Sequence, residues 1–198
     1  MSEDQKTINI TGTNNKYQIQ KMIKDDKVEK EIKKRVVSEK WDFSVEYFLY
    51  PYQMQVLNNI FENNSQNNNE ITKIAIQEIN KKIYGYKQQD ILKKHYDAEK
   101  FLTFDSVIKK LIESELKCRY CKCEMLVLYN VLREMKQWSV DRVDNDKGHN
   151  NDNFHLACLD CNLKRRRRTD DKFLFTKQLN IVKQENSKQE NSKQENSK

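Results

Sequence analysis

Two pairs of cysteines constrain the fold of this chain more than any other feature of its sequence. Cys118 and Cys121 form the first pair, and Cys158 and Cys161 follow after a gap of 36 residues. Two residues between cysteines let both thiolates of a pair bind one ion, and two such pairs complete a tetrahedral four-sulfur site. The spacing therefore predicts a closed, structural zinc site. Such sites contribute roughly 10–16 kcal/mol of apparent binding free energy in small peptides, so we expect no folding of this module without metal.

A fifth cysteine, Cys123, extends the first pair to Cys-x-x-Cys-x-Cys. A pairing of Cys121 with Cys123 is conceivable, but the two-residue spacing is much commoner in zinc sites. We therefore interpret Cys123 as a bystander. The odd number of cysteines also argues against a framework made only of disulfides.

The composition predicts a compact core within a solvated, basic chain. Of 198 residues, 36% are apolar and 34% are charged, and the formal net charge is +7. This balance favours an anionic partner such as nucleic acid, although a lysine-rich solvated surface explains it equally well. No apolar segment follows the polar N-terminus, and no stretch approaches the roughly 20 apolar residues of a membrane helix. We expect an intracellular protein, cytoplasmic or nuclear, that is neither secreted nor bound to membranes.

Hydrophobic periodicity divides the chain into segments. Residues 1–16 are polar and predict a flexible tail, and residues 17–116 predict a helical region with an Asn/Gln-rich linker near 63–69. Residues 117–182 contain the cysteines and form the zinc module. Residues 183–198 carry a repeated Lys-Gln-Glu-Asn-Ser sequence, which has nothing to bury and predicts disorder.

Within the helical region, apolar residues at helical spacing predict one helix over 71–83, closed by a turn at 84–86. A second, short helix is expected at 91–96. The cleanest amphipathic pattern covers 104–116 and runs directly into the first cysteine pair. The aromatic run at 43–52 is interpreted as core rather than as a platform for stacking bases.

Within the module, alternation of apolar and polar residues predicts a strand over 138–143 and a returning strand over 154–157. A polar loop, 144–153, joins them, and residues 160–168 read as a helix rich in cations. The predicted fold class is α+β, with a mainly helical N-terminal region followed by a strand, loop, strand and helix clamped by zinc.

The residues of this module resemble those of the HNH, or His-Me finger, nucleases of the zinc-stapled type, over about a third of the chain. The matching stretches are Cys118-x-x-Cys121, Val140-Asp141-Arg142-Val143-Asp144, Asn150-Asn151-Asp152-Asn153-Phe154 and Cys158-x-x-Cys161-Asn162-x-Lys164-Arg165. The resemblance implies a ββα-metal finger and a metal-dependent endonuclease that hydrolyses phosphodiester bonds in DNA.

The resemblance also implies roles for three residues. Asp141 and Asn162 correspond to the ligands of one divalent metal, Mg²⁺ or Mn²⁺, and Asn153 corresponds to the residue that pins the loop. Mg²⁺ prefers oxygen ligands and binds through one or two protein groups plus substrate phosphate, so the assignment is chemically sensible. Asp141 could instead be a hydrogen-bond partner within the hairpin, and Asn162 a helix cap.

The sequence departs from the family at the general base. The family has a histidine directly after the Asp141 position, and this chain has Arg142, which stays protonated and cannot accept a proton from water. Arg142 remains able to contact phosphate. His149 in the loop is our preferred replacement and His155 on the second strand is the alternative, although either histidine could be purely structural. Without a base, a loss of roughly 10²–10⁴-fold in rate is expected.

A run of five cations follows the second cysteine pair. Lys164, Arg165, Arg166, Arg167 and Arg168 would line up with a phosphate backbone if they continue the helix, or they could form a nuclear-localisation signal. Two rivals to the endonuclease remain open. One is a catalytically silent, zinc-dependent DNA-binding module, and the other is a zinc-dependent protein-interaction module. Nucleic acid, most of all DNA, is the expected partner.

Overall fold

The computed structural model describes residues 32–62 and 69–178, which form five α-helices and one two-stranded antiparallel sheet. The helices are α1 (Tyr50–Phe61), α2 (Glu70–Leu92), α3 (Phe104–Glu113), α4 (Leu159–Arg165) and α5 (Asp170–Gln178). The strands are β1 (Trp138–Arg142) and β2 (Phe154–Cys158). Two 3-10 turns, Val36–Lys40 and Val45–Phe48, precede α1. The fold class is therefore α+β, as the sequence predicts.

Helix α2 is longer than the sequence pattern predicts. Asn69 caps its start by accepting a hydrogen bond from the backbone N of Thr72 at 3.0 Å, and the helix then runs unbroken to Leu92. The prediction that residues 84–86 close the helix is wrong, as is the separate helix at 91–96. Gly85 lies in the interior of α2, where a single glycine costs only about 1 kcal/mol relative to alanine.

Helices α1, α2 and α3 pack against one another and share one hydrophobic core with the sheet. The aromatic run at 43–52 packs against this core. Helix α3 begins in a capping box formed by Thr103 and Ser106 and ends at Glu113, before the amphipathic pattern ends. It stops there because Glu115 and Leu116 adopt left-handed backbone angles, with φ of 50° and 49°. That turn delivers the chain to the first cysteine pair.

The register of the hairpin sets which side chains share a face. Asp141 lies opposite His155, and Ser139 lies opposite Ala157. Because cross-strand partners point to the same side, these four residues form one face of the sheet. Helix α4 packs against both strands, and it follows β2 without an intervening loop.

Side chains of α2 reach the backbone of β1. The Tyr86 hydroxyl accepts a hydrogen bond from the backbone N of Val140 at 3.0 Å, and Lys82 Nζ donates to the backbone O of Trp138 at 2.5 Å. Burial lowers the pKa of Lys82 from 10.5 to about 7, and the nearby Arg35 acts in the same direction. Helix α2 therefore holds β1 directly.

The predictions for residues 1–16 and 183–198, the first part of the helical region (17–31), nearly all of the linker near 63–69 and the last residues of the module (179–182) lie outside the described residues. Among the helices that the structure does describe, none combines the length and the apolar character that a membrane crossing requires.

Candidate functional site

The four predicted cysteines come together at the base of the hairpin. Their Sγ atoms all lie within 4.8 Å of one another, with 3.8 Å between Cys121 and Cys158. Cys158 ends β2 and caps α4, where its sulfur accepts a hydrogen bond from the backbone N of Cys161 at 3.4 Å. A hydrogen bond from the Cys158 thiol lowers the pKa of Cys118, which favours a thiolate within the cluster. The donor set fits a soft ion such as zinc, so the group could hold a structural metal.

Cys123 is not part of this group of four. Its backbone O instead accepts a hydrogen bond from the backbone N of Cys118 at 2.9 Å, which closes the turn around the first pair. Lys122 adopts a left-handed φ of 59° at the tip of that turn. The fifth cysteine therefore shapes the turn through its backbone.

Asp141 is buried, with 5% of its surface exposed, and its carboxylate already has protein partners. The Tyr120 hydroxyl lies 2.5 Å from Asp141 Oδ2, and Arg165 Nε lies 2.7 Å from the same oxygen. Burial raises the pKa of Asp141, and Tyr120 and Arg165 oppose that shift. The hairpin-partner interpretation of Asp141 thus has a physical basis, although the partners come from the cysteine turn and from α4.

Asn162 lies against the strand that carries Asp141. Its Nδ2 donates to the backbone O of Val140 and to Ser139 Oγ, each at 3.1 Å. Val140 is the neighbour of Asp141 in the chain, so Asn162 is held next to the first candidate ligand. The helix-cap interpretation does not apply, because Cys158 occupies the cap position of α4.

Asn153 ties the two ends of the loop between the strands. Its Oδ1 accepts from the backbone N of Asp144 at 2.9 Å. Its Nδ2 donates to the backbone O of Asp144 at 3.0 Å and of Gly148 at 2.9 Å. The side chain is buried and spans the loop.

His149 is buried among residues of α2 rather than poised over the hairpin. Only 4% of its surface is exposed. Asp90 Oδ1 lies 2.7 Å from His149 Nδ1, and Asp90 Oδ2 accepts from the backbone N of His149 at 2.6 Å. The imidazole lies 4.7 Å from the ring of Tyr86, and burial lowers its pKa, with Asp90 opposing. The geometry therefore favours a structural role and speaks against our preference for His149 as the base.

His155 has the access that His149 lacks. Its side chain is 32% exposed, and its Nε2 lies 3.7 Å from Asp170 Oδ2. It lines an open cleft of about 520 Å³ together with Lys110 and Arg119. Burial, and secondarily Arg119, lower the pKa of His155, which favours a neutral imidazole at pH 7.

Two residues that the sequence analysis missed connect these groups. Asp170 accepts from Arg119 Nη2 at 2.7 Å and lies 2.7 Å from the hydroxyl of Tyr120. Tyr120 therefore bridges the carboxylates of Asp141 and Asp170, and together they raise its pKa further than burial alone. Burial raises the pKa of Asp170, but the hydrogen bonds with Arg119 and Tyr120 outweigh burial, so the pKa is lowered. The only sequence signal for Tyr120 is its position inside the first cysteine pair.

The prediction of a helix over 160–168 is wrong beyond Arg165, so only the first two residues of the basic run are helical. Helix α4 ends at Arg165, and Arg166 adopts a left-handed φ of 54°. Arg165 is 1% exposed and points inward, where Nη1 donates to the backbone O of Arg168 at 2.6 Å and Nη2 donates to the backbone O of Arg142. It is not available to a phosphate backbone, because its guanidinium is committed to Asp141 and these carbonyls.

The other members of the run differ in what they contact. Lys164 Nζ pairs with Asp160 Oδ2 at 2.8 Å. The Arg168 guanidinium lies 4.7 Å from the ring of Phe173. Arg166 and Arg167 are exposed. The five cations therefore do not form one continuous face.

No family model, no curated protein and no solved structure matches this chain.

Proposed function

We propose that this chain is a metal-dependent endonuclease that hydrolyses phosphodiester bonds in DNA through an HNH-like site, with zinc as a structural ion in the four-cysteine group. The observation that supports this most is the bond from Asn162 Nδ2 to the backbone O of Val140 at 3.1 Å. It holds the candidate ligand of α4 beside Asp141 on β1. The hairpin and the helix meet at the cysteine cluster, as that class of site requires.

The donor atoms suit a hard divalent ion in kind. Asp141 uses Oδ2 and Asn162 uses Nδ2 in the contacts described above, so Oδ1 of each side chain would hold Mg²⁺ or Mn²⁺. Such an ion supplies charge neutralisation at the scissile phosphate. Arg165 shares the Asp141 carboxylate and keeps it oriented toward α4.

Proton transfer is assigned to His155 rather than to His149. His155 is half-buried, opens to a cleft and lies opposite Asp141 in the hairpin. A neutral imidazole in this position accepts the proton of the attacking water, and Asp170 stabilises the imidazolium that forms. Arg142 contributes positive charge toward phosphate and no proton transfer.

The second candidate is a catalytically silent, zinc-dependent DNA-binding module, and one observation favours it. Arg165 Nε and the Tyr120 hydroxyl both lie within 2.7 Å of Asp141 Oδ2, so the carboxylate is already neutralised and hydrogen-bonded by the protein. With Arg142 at the position of the family's base, this arrangement describes a finger that keeps its shape without cutting.

Incubation of zinc-loaded protein with supercoiled plasmid, with and without Mg²⁺ or Mn²⁺, separates the two. The variants are Asp141→Ala and Asn162→Ala, each of which removes the side-chain oxygen assigned to the metal. We expect metal-dependent nicking in the wild type and its loss in both variants, with zinc content unchanged. Nicking that persists in both variants would refute the metal assignment. Binding without nicking under every metal supports the silent module.

A further inference from the structure

A second cleft, of about 920 Å³, lies where three parts of the chain meet. One wall is the segment that follows α2, with Lys93 and His95. The second is the start of the loop between the strands, with Arg142, and the third is the turn between α4 and α5, with Arg166 and Arg167. The cations that line it thus come from the helical region as well as from the cysteine module.

The charge of this cleft is positive after its ion pairs are taken into account. Of the four carboxylates that line it, Asp144 pairs with Lys147 at 3.3 Å and Asp170 with Arg119 at 2.7 Å. That leaves Asp146 and Asp171 against one lysine and four arginines in the lining. In residues 32–62 and 69–178, no ion pair involves Lys93, Arg142, Arg166 or Arg167. Nη1 of Arg142 donates to the backbone O of Lys147 at 2.9 Å, a neutral acceptor that orients the guanidinium without cancelling its charge.

A cation is not the natural occupant of this cleft. Apart from the four cysteines, the described residues contain no group of three or more acidic, histidine or cysteine side chains that could converge on one ion. The carboxylates of Asp146 and Asp171, which also line the cleft, therefore belong to no candidate metal site among the described residues. Unpaired cations on three walls instead match an extended anion.

The wall that follows α2 is held rigidly against the hairpin loop. A Cβ on Gly148 would lie 2.4 Å from the backbone O of His95, so only glycine allows this close approach of two backbones. Asp90 on α2 binds both Nδ1 and the backbone N of His149 at 2.7 and 2.6 Å. The backbone at Lys93 is thereby held close to the hairpin loop that begins after Arg142, which lowers the entropy lost when both residues contact one ligand.

We propose that this cleft binds the phosphate backbone of DNA, and that Lys93 and His95 give the helical region a direct part in holding the substrate. The proposal rests on the DNA-binding part of the proposed function. The proposal also changes the roles assigned to the residues of the basic run. Arg166 and Arg167 bind phosphate, Arg165 does not, and Lys93 and Arg142 complete the site from elsewhere in the chain.

The experiment is a salt titration of binding to a fluorescent duplex DNA, measured by anisotropy without divalent metal. Lys93→Gln and Arg167→Gln are the test variants. Lys94→Gln is the matched control, since Lys94 is the adjacent exposed lysine and does not line the cleft. Each lost phosphate contact should make the slope of log K against log salt less steep by about 0.9, which is about an eightfold loss of affinity at 0.1 M salt.

We expect that loss in both test variants and less than a twofold change in Lys94→Gln. Equal losses for Lys93→Gln and Lys94→Gln would overturn the proposal, because they report net charge and not the cleft. A slope for Lys93→Gln equal to the wild-type slope would overturn it too. Plasmid nicking is measured separately. If the wild type nicks plasmid but the salt slope of Lys93→Gln equals the wild-type slope, the cleft proposal fails and the endonuclease proposal holds. If Lys93→Gln has a less steep slope but the wild type does not nick plasmid, the endonuclease proposal fails and the cleft proposal holds.

Discussion

The three-way contact of His149 with Asp90 and Tyr86 leads to the sharpest prediction, because it separates a structural histidine from a catalytic one. His149→Ala removes a buried hydrogen bond to the Asp90 carboxylate, worth about 1.5–3 kcal/mol. It also removes the ring contact with Tyr86, worth about 0.5–1.5 kcal/mol. The backbone bond from residue 149 to Asp90 survives, so we expect a loss of about 2–4 kcal/mol in the free energy of unfolding.

His155→Ala, on β2, is the matched comparison. Its side chain is partly exposed and lies 3.7 Å from Asp170, so its removal should cost less than about 1 kcal/mol. The plasmid-nicking rate, however, should fall by roughly 10²–10⁴-fold if His155 is the base. Urea unfolding of zinc-loaded proteins gives the first quantity, and nicking per folded molecule gives the second.

One result would refute this reasoning. Suppose that the free energy of unfolding of His149→Ala lies within about 1 kcal/mol of the wild-type value and that this variant no longer nicks plasmid, while His155→Ala nicks normally. The contact between His149 and Asp90 is then not structural. His149 would in that case be the base, as the sequence analysis preferred.

Three further predictions concern the metal, a buried lysine and the basic run. Cys158→Ser should lose bound zinc and unfold, and Cys123→Ser should retain about one zinc per chain in atomic absorption, because Cys123 lies outside the group of four. Lys82 should make the wild type more stable as pH rises from about 7 to 10.5, by up to about 1.4 kcal/mol per pH unit, since the unfolded chain holds a proton there that the folded chain has lost. Urea unfolding at pH 7.5 and 9.5 should show this slope in the wild type and not in Lys82→Met. Arg165→Met should cost about 3–5 kcal/mol because its buried carboxylate partner is left unpaired, whereas Arg167→Met should stay within about 0.5 kcal/mol in thermal melts.

The parts of the fold that the sequence predicts are those set by local spacing. The two-residue gaps were enough to predict the group of four cysteines, and the alternation of apolar and polar residues was enough to predict the two strands. The site partners were not predictable in this way. Asp90 and His149 are 59 positions apart, and Tyr120 and Asp170 are 50 apart, so no periodicity connects them.

The prediction for the basic run failed for a different reason. Arg165 and Arg166 have the same chemistry, and what separates them is that the chain turns to a left-handed φ of 54° at Arg166. Glycine usually marks such a turn, and its absence here hides the end of the helix. Tyr84-Gly85-Tyr86 gave the opposite error, since a glycine suggested an end where α2 continues.

The contacts of α2 with β1 also limit where this chain can be truncated. A two-stranded sheet has an open edge whose free N–H and C=O groups offer a template to another strand. Here Tyr86 and Lys82 occupy the backbone N of Val140 and the backbone O of Trp138, and Leu126 O takes the N–H of Trp138. A fragment beginning at residue 117 would lose the two α2 partners and expose the backbone N of Val140 and the backbone O of Trp138, while Asn162 and Leu126 would still cover the backbone O of Val140 and the backbone N of Trp138. The excised module should therefore be more prone to strand pairing than the full chain, even when fully loaded with zinc.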